Sequence, residues 1–307
     1  MISVRIYAGI VISEAGIWSD VPMDKYHGPD LCDGPSISSS GLRTIFNESL
    51  AHYWVTSPYN PERIEEEEKE AFILGRAAHH LLLGEAAFAK HFVIRPDKWD
   101  SWRTNAAKEW RAAKLLEGVT VLEPRHIEVI HGMARSLEAH PLIRAGVLNG
   151  LIEQTIVCKH AETGVWLKVR PDAIPSDSGD FFDLKTAVGV DDDSLESTIG
   201  SFGYHMQGAM AAIGSKEVLG TELNTFNLVF VEKKPPHCVR VVSIRPADIQ
   251  KGIEQVEAAV RAFARAMKTM NWTGPGGTQT DAAYISPKPW ALKKIDDRLA
   301  ELAREAA

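Results

Sequence analysis

Hydrophobic and polar positions alternate along the chain with two different periods. Residues 1–35 hold short apolar segments broken by turn residues such as HGPDLCDGPS, and read as strands and loops. SISSSGLRTIFNESLAHYWV then sets a serine cluster, suited to an N-cap, before a helical stripe. PYNPERIEEEEKEAFILGRAAHHLLLGEAAFAKHFV reads as a second long helix. Its acidic run, Glu65 to Glu68, sits near the helix start, where the dipole favours negative charge and a solvated face is expected. Residues 102–117 and 124–146 are helical in pattern too. At Gly150 the period drops to two. GLIEQTIVCKH, GVWLKVRPDAI and FFDLKTA are short, rich in β-branched and aromatic residues, and separated by AETG and PSDSGD. They predict a three-stranded antiparallel meander. A helix over 192–214, strands in NTFNLVFVEKK and HCVRVVSI, and a helix over 246–270 follow.

GPGGTQTD reads as a flexible link, and PWALKKIDDRLAELAREAA as an amphipathic helix with Leu292, Ile295, Leu299 and Leu302 on one stripe, expected to dock on its own body. The expected organisation is therefore N-terminal strands and loops over 1–35 packing on a core over 36–272, then a linker and helix over 273–307.

Composition narrows the class. The 307 residues are 45% hydrophobic and 24% charged, which is globular, and the net charge of -7 argues against a passive nucleic-acid coat. It leaves room for a nuclease, since metal-binding carboxylates are themselves acidic and a local basic groove can grip DNA. Three scattered cysteines, Cys32, Cys158 and Cys238, suggest a reducing cytoplasm and exclude a four-cysteine metal or iron–sulfur site within one chain. The opening MISVRIYAGIVISEAGIW carries Arg5 and Glu14 and reads as a strand pair rather than a signal peptide. No run of about 18 clean apolar residues predicts a membrane span.

The chemistry concentrates in VRPDAIPSDSGDFFDLKTA, with the pattern D-x10-D-x-K. In a strand, residues two apart face the same way, so Asp183 and Lys185 project together with Leu184 turned to the core. A hairpin turning at 175–180 would bring Asp172, at the end of the preceding strand, beside Asp183. Two carboxylates there repel unless a cation bridges them. Mg²⁺, with Mn²⁺ as a substitute, suits such oxygen ligands and can activate a water against a phosphodiester, with Lys185 orienting that water or offsetting transition-state charge. His79 and His80 point about 100° apart on a helix, so only one can face a site. Tyr204 and Gln207, three apart, share a helical face.

This stretch resembles the PD-(D/E)xK nuclease superfamily, and within it the RecE or exodeoxyribonuclease VIII branch of phage and prophage exonucleases. Four further segments carry the resemblance, in order from about residue 22 to 245: the serine-capped SISSSGLRTIFNESLAHYW, the G-x-x-x-H-x-x-L pattern of GRAAHHLLLGE, Ile152-Glu153 on the first meander strand, and the Tyr-x-x-Gln of YHMQGAMA. The resemblance implies an α/β (α+β) fold: a central mixed sheet with the meander, flanked by helices, as in restriction endonucleases. It implies metal ligation by His79, Asp172, Asp183 and the Leu184 backbone carbonyl, and catalysis by Lys185, Asp183, Asp172, Glu153 and Gln207. Glu153 is either a third carboxylate near the metal or a salt-bridge partner. Gln207 holds a phosphate or Lys185, or makes an ordinary buried hydrogen bond. Gly75 would allow close packing near the metal. Arg76, Arg170 and Tyr204 are the candidate DNA contacts, Arg76 being either that or a surface residue. Ala211 stands where related nucleases often carry tyrosine. The implied activity is Mg²⁺-dependent digestion of double-stranded DNA ends from the 5′ side. It would leave 3′ tails for a RecT-like single-strand annealing protein and be carried out by a homo-oligomeric ring. A single-strand-specific or endonucleolytic relative, and a catalytically inert DNA-binding subunit, are the alternative readings.

Overall fold

The computed structural model describes residues 2–64, 70–83 and 88–305. The N-terminal segments form β1 (Val4–Ile6), β2 (Gly16–Ser19) and the short α1 (Met23–His27). The serine cluster begins as a strand, β3 (Ser36–Ser38), before α2 (Ser39–Asn47). The Ser38 hydroxyl meets that of Ser40 at 2.9 Å and caps no helix N–H. Ser49 breaks the expected single helix and caps α3 (Leu50–Thr56) by accepting from the His52 N–H.

Next come α4 (Glu70–Leu82), α5 (Phe88–His91), β4 (Phe92–Ile94), α6 (Asn105–Leu116), β5 (Thr120–Leu122), α7 (Pro124–Ala139) and α8 (Pro141–Arg144). The acidic run Glu65 to Glu68 lies outside the described residues. The region of period two forms β6 (Leu151–Ile152), β7 (Thr155–Lys159), β8 (Trp166–Val169), β9 (Ala173–Ile174) and β10 (Asp180–Ala187). The helix expected over 192–214 is two, α9 (Asp192–Phe202) and α10 (Tyr204–Gly214), because Gly203 adopts φ 62° between them. A π-helical turn, Ser215–Leu219, leads to β11 (Thr225–Glu232), β12 (Val239–Ser243) and α11 (Pro246–Thr269).

Residues divide into two compact units, Met1–Trp272 and Thr273–Ala307. The second unit contains α12 (Pro289–Glu305). Among the described residues no helix is long and apolar enough to cross a membrane.

The first unit is built on two five-stranded sheets, in the orders β1-β2-β7-β8-β3 and β12-β11-β10-β9-β6, with a small parallel pair β4-β5 beside them. The expected meander is thus split. β7 and β8 pair antiparallel in the first sheet, and β9 and β10 pair antiparallel in the second. The chain changes sheets between Val169 and Ala173, the segment that carries Arg170 and Asp172.

β10 is the central strand of its sheet, parallel to β11. Phe181 and Ala187 join the larger core with α2, α10 and α11, whereas Phe182 and Leu184 join a second core with α4 and α7. A strand covered on both faces must be apolar on both, which is why FFDLKTA reads as an almost continuous apolar run around its two charges. Helices α10 and α11 approach closely at Gly252, where a Cβ would lie 2.6 Å from the His205 carbonyl oxygen.

Candidate active site

β9 and β10 pair through Ala173 and Phe182, and continuing that register by one residue sets Asp172 across from Asp183. Both carboxylates are buried, at 5% and 1% exposure. Asp172 lies in the crossover just before β9 rather than at the end of a strand. Its Oδ2 accepts from the Leu184 N–H at 2.5 Å and lies 3.4 Å from His79 Nδ1.

Glu153 lies just after β6, not on a meander strand, and its backbone is left-handed at φ 52°. A non-glycine residue held there is strained, and such strain persists where surrounding structure fixes it. Here the Glu153 N–H donates to the Asp172 carbonyl at 3.1 Å, and Oε1 comes to 4.0 Å from His79 Nδ1. One donor atom each from His79, Glu153 and Asp172 lie within 4.8 Å of one another.

Asp183, across the strand register from Asp172, has partners of its own. It forms an ion pair with Lys185, and its Oδ1 accepts from Gln207 Nε2 at 2.6 Å. His79, Glu153 and Asp172 are thus the group that could hold a cation, and Asp183 is the partner of the lysine beside them. Glu153, left open between two roles by the sequence, belongs to the donor cluster. Gln207 holds Asp183 rather than Lys185.

These residues fit a divalent cation. One imidazole nitrogen and two carboxylates are suitable donors for a hard or borderline ion. The buried Oδ2 of Asp183 faces the Lys185 ammonium.

The electrostatics agree. Burial, with the nearby Lys185 charge, pushes the His79 ring below the ordinary histidine value, so the imidazole is neutral and able to ligate. The Asp183 and Glu153 carboxylates, and then the Leu184 backbone, act in the opposite direction. Burial works to lower Lys185 as well, but Asp183 and then Asp172 outweigh it, and its pKa is raised. The ammonium is therefore charged, and it lies 5.2 Å from the centroid of the Tyr204 ring. Burial raises the Tyr204 hydroxyl pKa.

A cleft of about 1600 Å³ opens above this group, lined by Arg76, His79, Glu153, Arg170, Lys185 and Tyr204 among others. The three candidate DNA contacts differ in freedom. Arg76 donates to Thr120 Oγ1 at 2.7 Å and sits over the Phe92 ring, on the cleft rim. The Arg170 guanidinium is spent on Thr155 Oγ1, the Val21 carbonyl and Met23 Sδ, and stacks over Tyr26 at 4.7 Å. The sequence pairs it with phosphate. In the structure its donors pin the N-terminal segment to the sheet crossover two residues before Asp172, and the side chain also lines the cleft. Gly75 is not demanded by space, since a Cβ would meet Thr186 Oγ1 at an ordinary 3.5 Å.

His80 turns away from the carboxylates toward the His91 and Phe92 rings, as adjacent helical positions require. One residue escaped sequence reasoning. Arg43 of α2 donates to the Phe202 carbonyl at 2.5 Å, and its buried Nε has no hydrogen-bond partner among the described residues. Burial lowers its pKa, while Tyr204 and Asp183 act to raise it. Its signal was a lone charge in SSGLRTIFN.

Residues 38–281 match a family described as a PDDEXK-like domain of unknown function (DUF3799). The chain belongs to this PDDEXK-like family. Pro171-Asp172 and Asp183-Leu184-Lys185, inside the matched residues, fit the pattern in that name. A candidate exonuclease from Eubacterium rectale has a similar structure, with a TM-score of 0.56 at 14% identity over 82% of this chain and 91% of that one. This likeness shows the shared PDDEXK-like fold, a mixed α/β arrangement of sheets flanked by helices. A phage-related exonuclease from Haemophilus somnus 129PT also matches (TM-score 0.33, 11% identity, 76% of this chain and 96% of that one). So does an alkaline exonuclease from Laribacter hongkongensis (TM-score 0.22, 15% identity, 55% and 86%). No curated protein matches the sequence. Within the PDDEXK-like chain, the motif aspartates and lysine, His79 and Glu153 thus come from four separate segments and meet at the floor of one cleft.

Proposed function

We propose that this PDDEXK-like protein is a metal-dependent exodeoxyribonuclease that hydrolyses phosphodiester bonds from double-stranded DNA ends. One observation carries the reading: a His79–Glu153–Asp172 donor cluster stands beside a buried, charged Lys185 at the base of an open cleft. His79, Glu153 and Asp172, with Asp183 and the Leu184 carbonyl adjacent, would hold the cation. When bound, Mg²⁺ or Mn²⁺ supplies an activated water and neutralises phosphate charge.

The protein's own groups do the remainder. Gln207 fixes Asp183, and Asp183 keeps Lys185 protonated and aimed toward the cleft. That ammonium then stabilises negative charge developing on the phosphate oxygens, in a site where burial strengthens the interaction. The neutral His79 ring ligates without competing for a proton. Hydrolysis of this kind needs no protein nucleophile.

Cleavage from the 5′ end, 3′ tails passed to a RecT-like annealing protein in recombination or repair, a phage or prophage setting and a homo-oligomeric ring complete the proposal. Their support is the resemblance of the motif order to the RecE branch. An acidic exterior with net charge -7 is compatible with a ring whose inner wall is basic.

The test is a time course on linear duplex labelled separately at each end, beside a circular duplex, with Mg²⁺ and with EDTA. Nucleotide release from the 5′ label of the linear substrate, stopped by EDTA, is expected. Nicking of the circle would replace the exonuclease with an endonuclease. Asp183→Ala and Lys185→Ala should each abolish release while the chain still melts cooperatively, and undiminished release from either overturns the assignment.

A further inference from the structure

Beside the cleft lies a second group of residues that the hydrolytic site does not use. Residues 95–114 carry three of the eight tryptophans and six lysines or arginines against three acidic residues, in a chain whose net charge is -7. The segment is the loop from β4 into α6 together with that helix.

Its aromatics gather. Trp110 lies 5.4 Å from Trp99 and is stacked with Trp102 at 6.3 Å. Cations surround them: Lys98 sits 4.3 Å from the Trp99 centroid, and Arg111 and Arg95 lie 5.2 and 5.8 Å from that of Trp102. Glu123 accepts from both Trp102 Nε1 and Arg95, and Glu117 pairs with Lys114. Those carboxylates neutralise Arg95 and Lys114. Among the described residues Lys98, Arg103, Lys108 and Arg111 enter no ion pair, and all four are exposed while the three indoles are half-buried. Lys108 and Arg111 are three apart and share a face of α6.

The patch is joined to the cleft through the β4–β5 pair. Arg76, on the cleft rim, bonds Thr120 of β5 and covers Phe92 of β4, and β4 and β5 are the pair between which the segment runs.

Unpaired cations interleaved with aromatic faces match one kind of polymer, a flexible polyanion with flat bases. Phosphates satisfy the cations, and unstacked bases are free to lie on indoles, which a paired duplex does not allow. We propose that the Trp99–Trp102–Trp110 patch with Lys98, Arg103, Lys108 and Arg111 binds single-stranded DNA, holding the strand that remains beside the cleft. The source of that strand rests on the exonuclease reading; the binding itself does not.

The experiment measures fluorescence anisotropy of a labelled 20-nucleotide dT oligomer in EDTA, where no hydrolysis occurs, across a salt series. Arg103→Glu/Lys108→Glu/Arg111→Glu should weaken binding at least tenfold and flatten the log–log salt dependence by about two, since each phosphate contact on a single strand contributes about 0.7. Trp99→Ala should weaken it by about tenfold. Lys268→Glu, a charge reversal on α11, should leave it unchanged. If the triple variant does not melt cooperatively, Arg111→Gln with Arg103→Gln replaces it, with a loss of several-fold expected. Wild-type affinity and salt dependence in the charge variants overturn the proposal, and so does an equal loss in Lys268→Glu. Oligomer binding at the patch by a protein that releases no nucleotide from any DNA would remove the exonuclease reading and leave this one standing. Nuclease activity without patch-dependent binding would do the reverse.

Discussion

Gln207 donates to Asp183 and so fixes the carboxylate that holds Lys185. Removing such a supporting hydrogen bond typically costs between about tenfold and a hundredfold. Gln207→Ala should lower nucleotide release by that factor, read in the linear-duplex assay. Gln207→Glu should not restore it, because a second carboxylate would face Asp183.

A different buried charge dominates the N-terminal side. Lys168 of β8 is 3% exposed, and burial pushes its pKa down to about 8. It donates to the Gly28 carbonyl at 3.4 Å. The unfolded chain keeps that proton up to about 10.5, whereas the folded chain releases it near 8. Between those values the unfolded state binds more protons, so this group's contribution to stability rises with pH, and its full cost is present below pH 8. Lys168→Met should therefore be more stable than wild type at pH 7, by up to about 3 kcal/mol, and the advantage should shrink toward pH 10. Paired urea denaturation curves at the two pH values check both the sign and the trend.

Between elements, α10 and α11 pack backbone against backbone at Gly252. At Gly252 the ideal Cβ would stand 2.6 Å from a backbone oxygen and 3.0 Å from the Ala209 Cβ, and a backbone atom cannot rotate away. Gly252→Ala is expected to cost about 1–3 kcal/mol through overpacking, seen as a melting temperature lower by several degrees. It is also at this scale that sequence and structure part. Long periodic helices such as α7 and α11 were legible, and so were the doubly buried strands β10 and β11, because period and length point the same way. Two breaks were not. Gly203 interrupts a continuous helical pattern by a backbone angle that leaves no trace in hydrophobicity, and Ser49 does the same before α3. The split of the meander was hidden for another reason. Hairpin pairing is local, but which sheet a hairpin joins depends on distant strands such as β2, β3 and β11. The donor cluster shows the same limit: D-x10-D-x-K announced two carboxylates and a lysine, while only the fold decides that Glu153 joins Asp172 and that Asp183 turns to Lys185.

For the molecule as a whole, the boundary at Trp272 has a physical basis. That indole stacks on Trp54 at 4.3 Å and contacts Tyr53 and Phe263, so it closes the aromatic end of the first unit. A chain ending at Trp272 should melt as cooperatively as the full protein, whereas one ending at Met270 should melt lower, since a stacked aromatic pair contributes about 0.5–1.5 kcal/mol beyond its burial. Calorimetry on the two truncations distinguishes them. The placement of β10 carries a last consequence. Because this strand is inner in its sheet and clad by a separate core on each side, its amide protons become accessible to solvent only when the entire first unit opens. The peptide groups of Asp183, Leu184 and Lys185 should then rank among the slowest to take up deuterium, so that the residues assigned to chemistry also report the global free energy of unfolding.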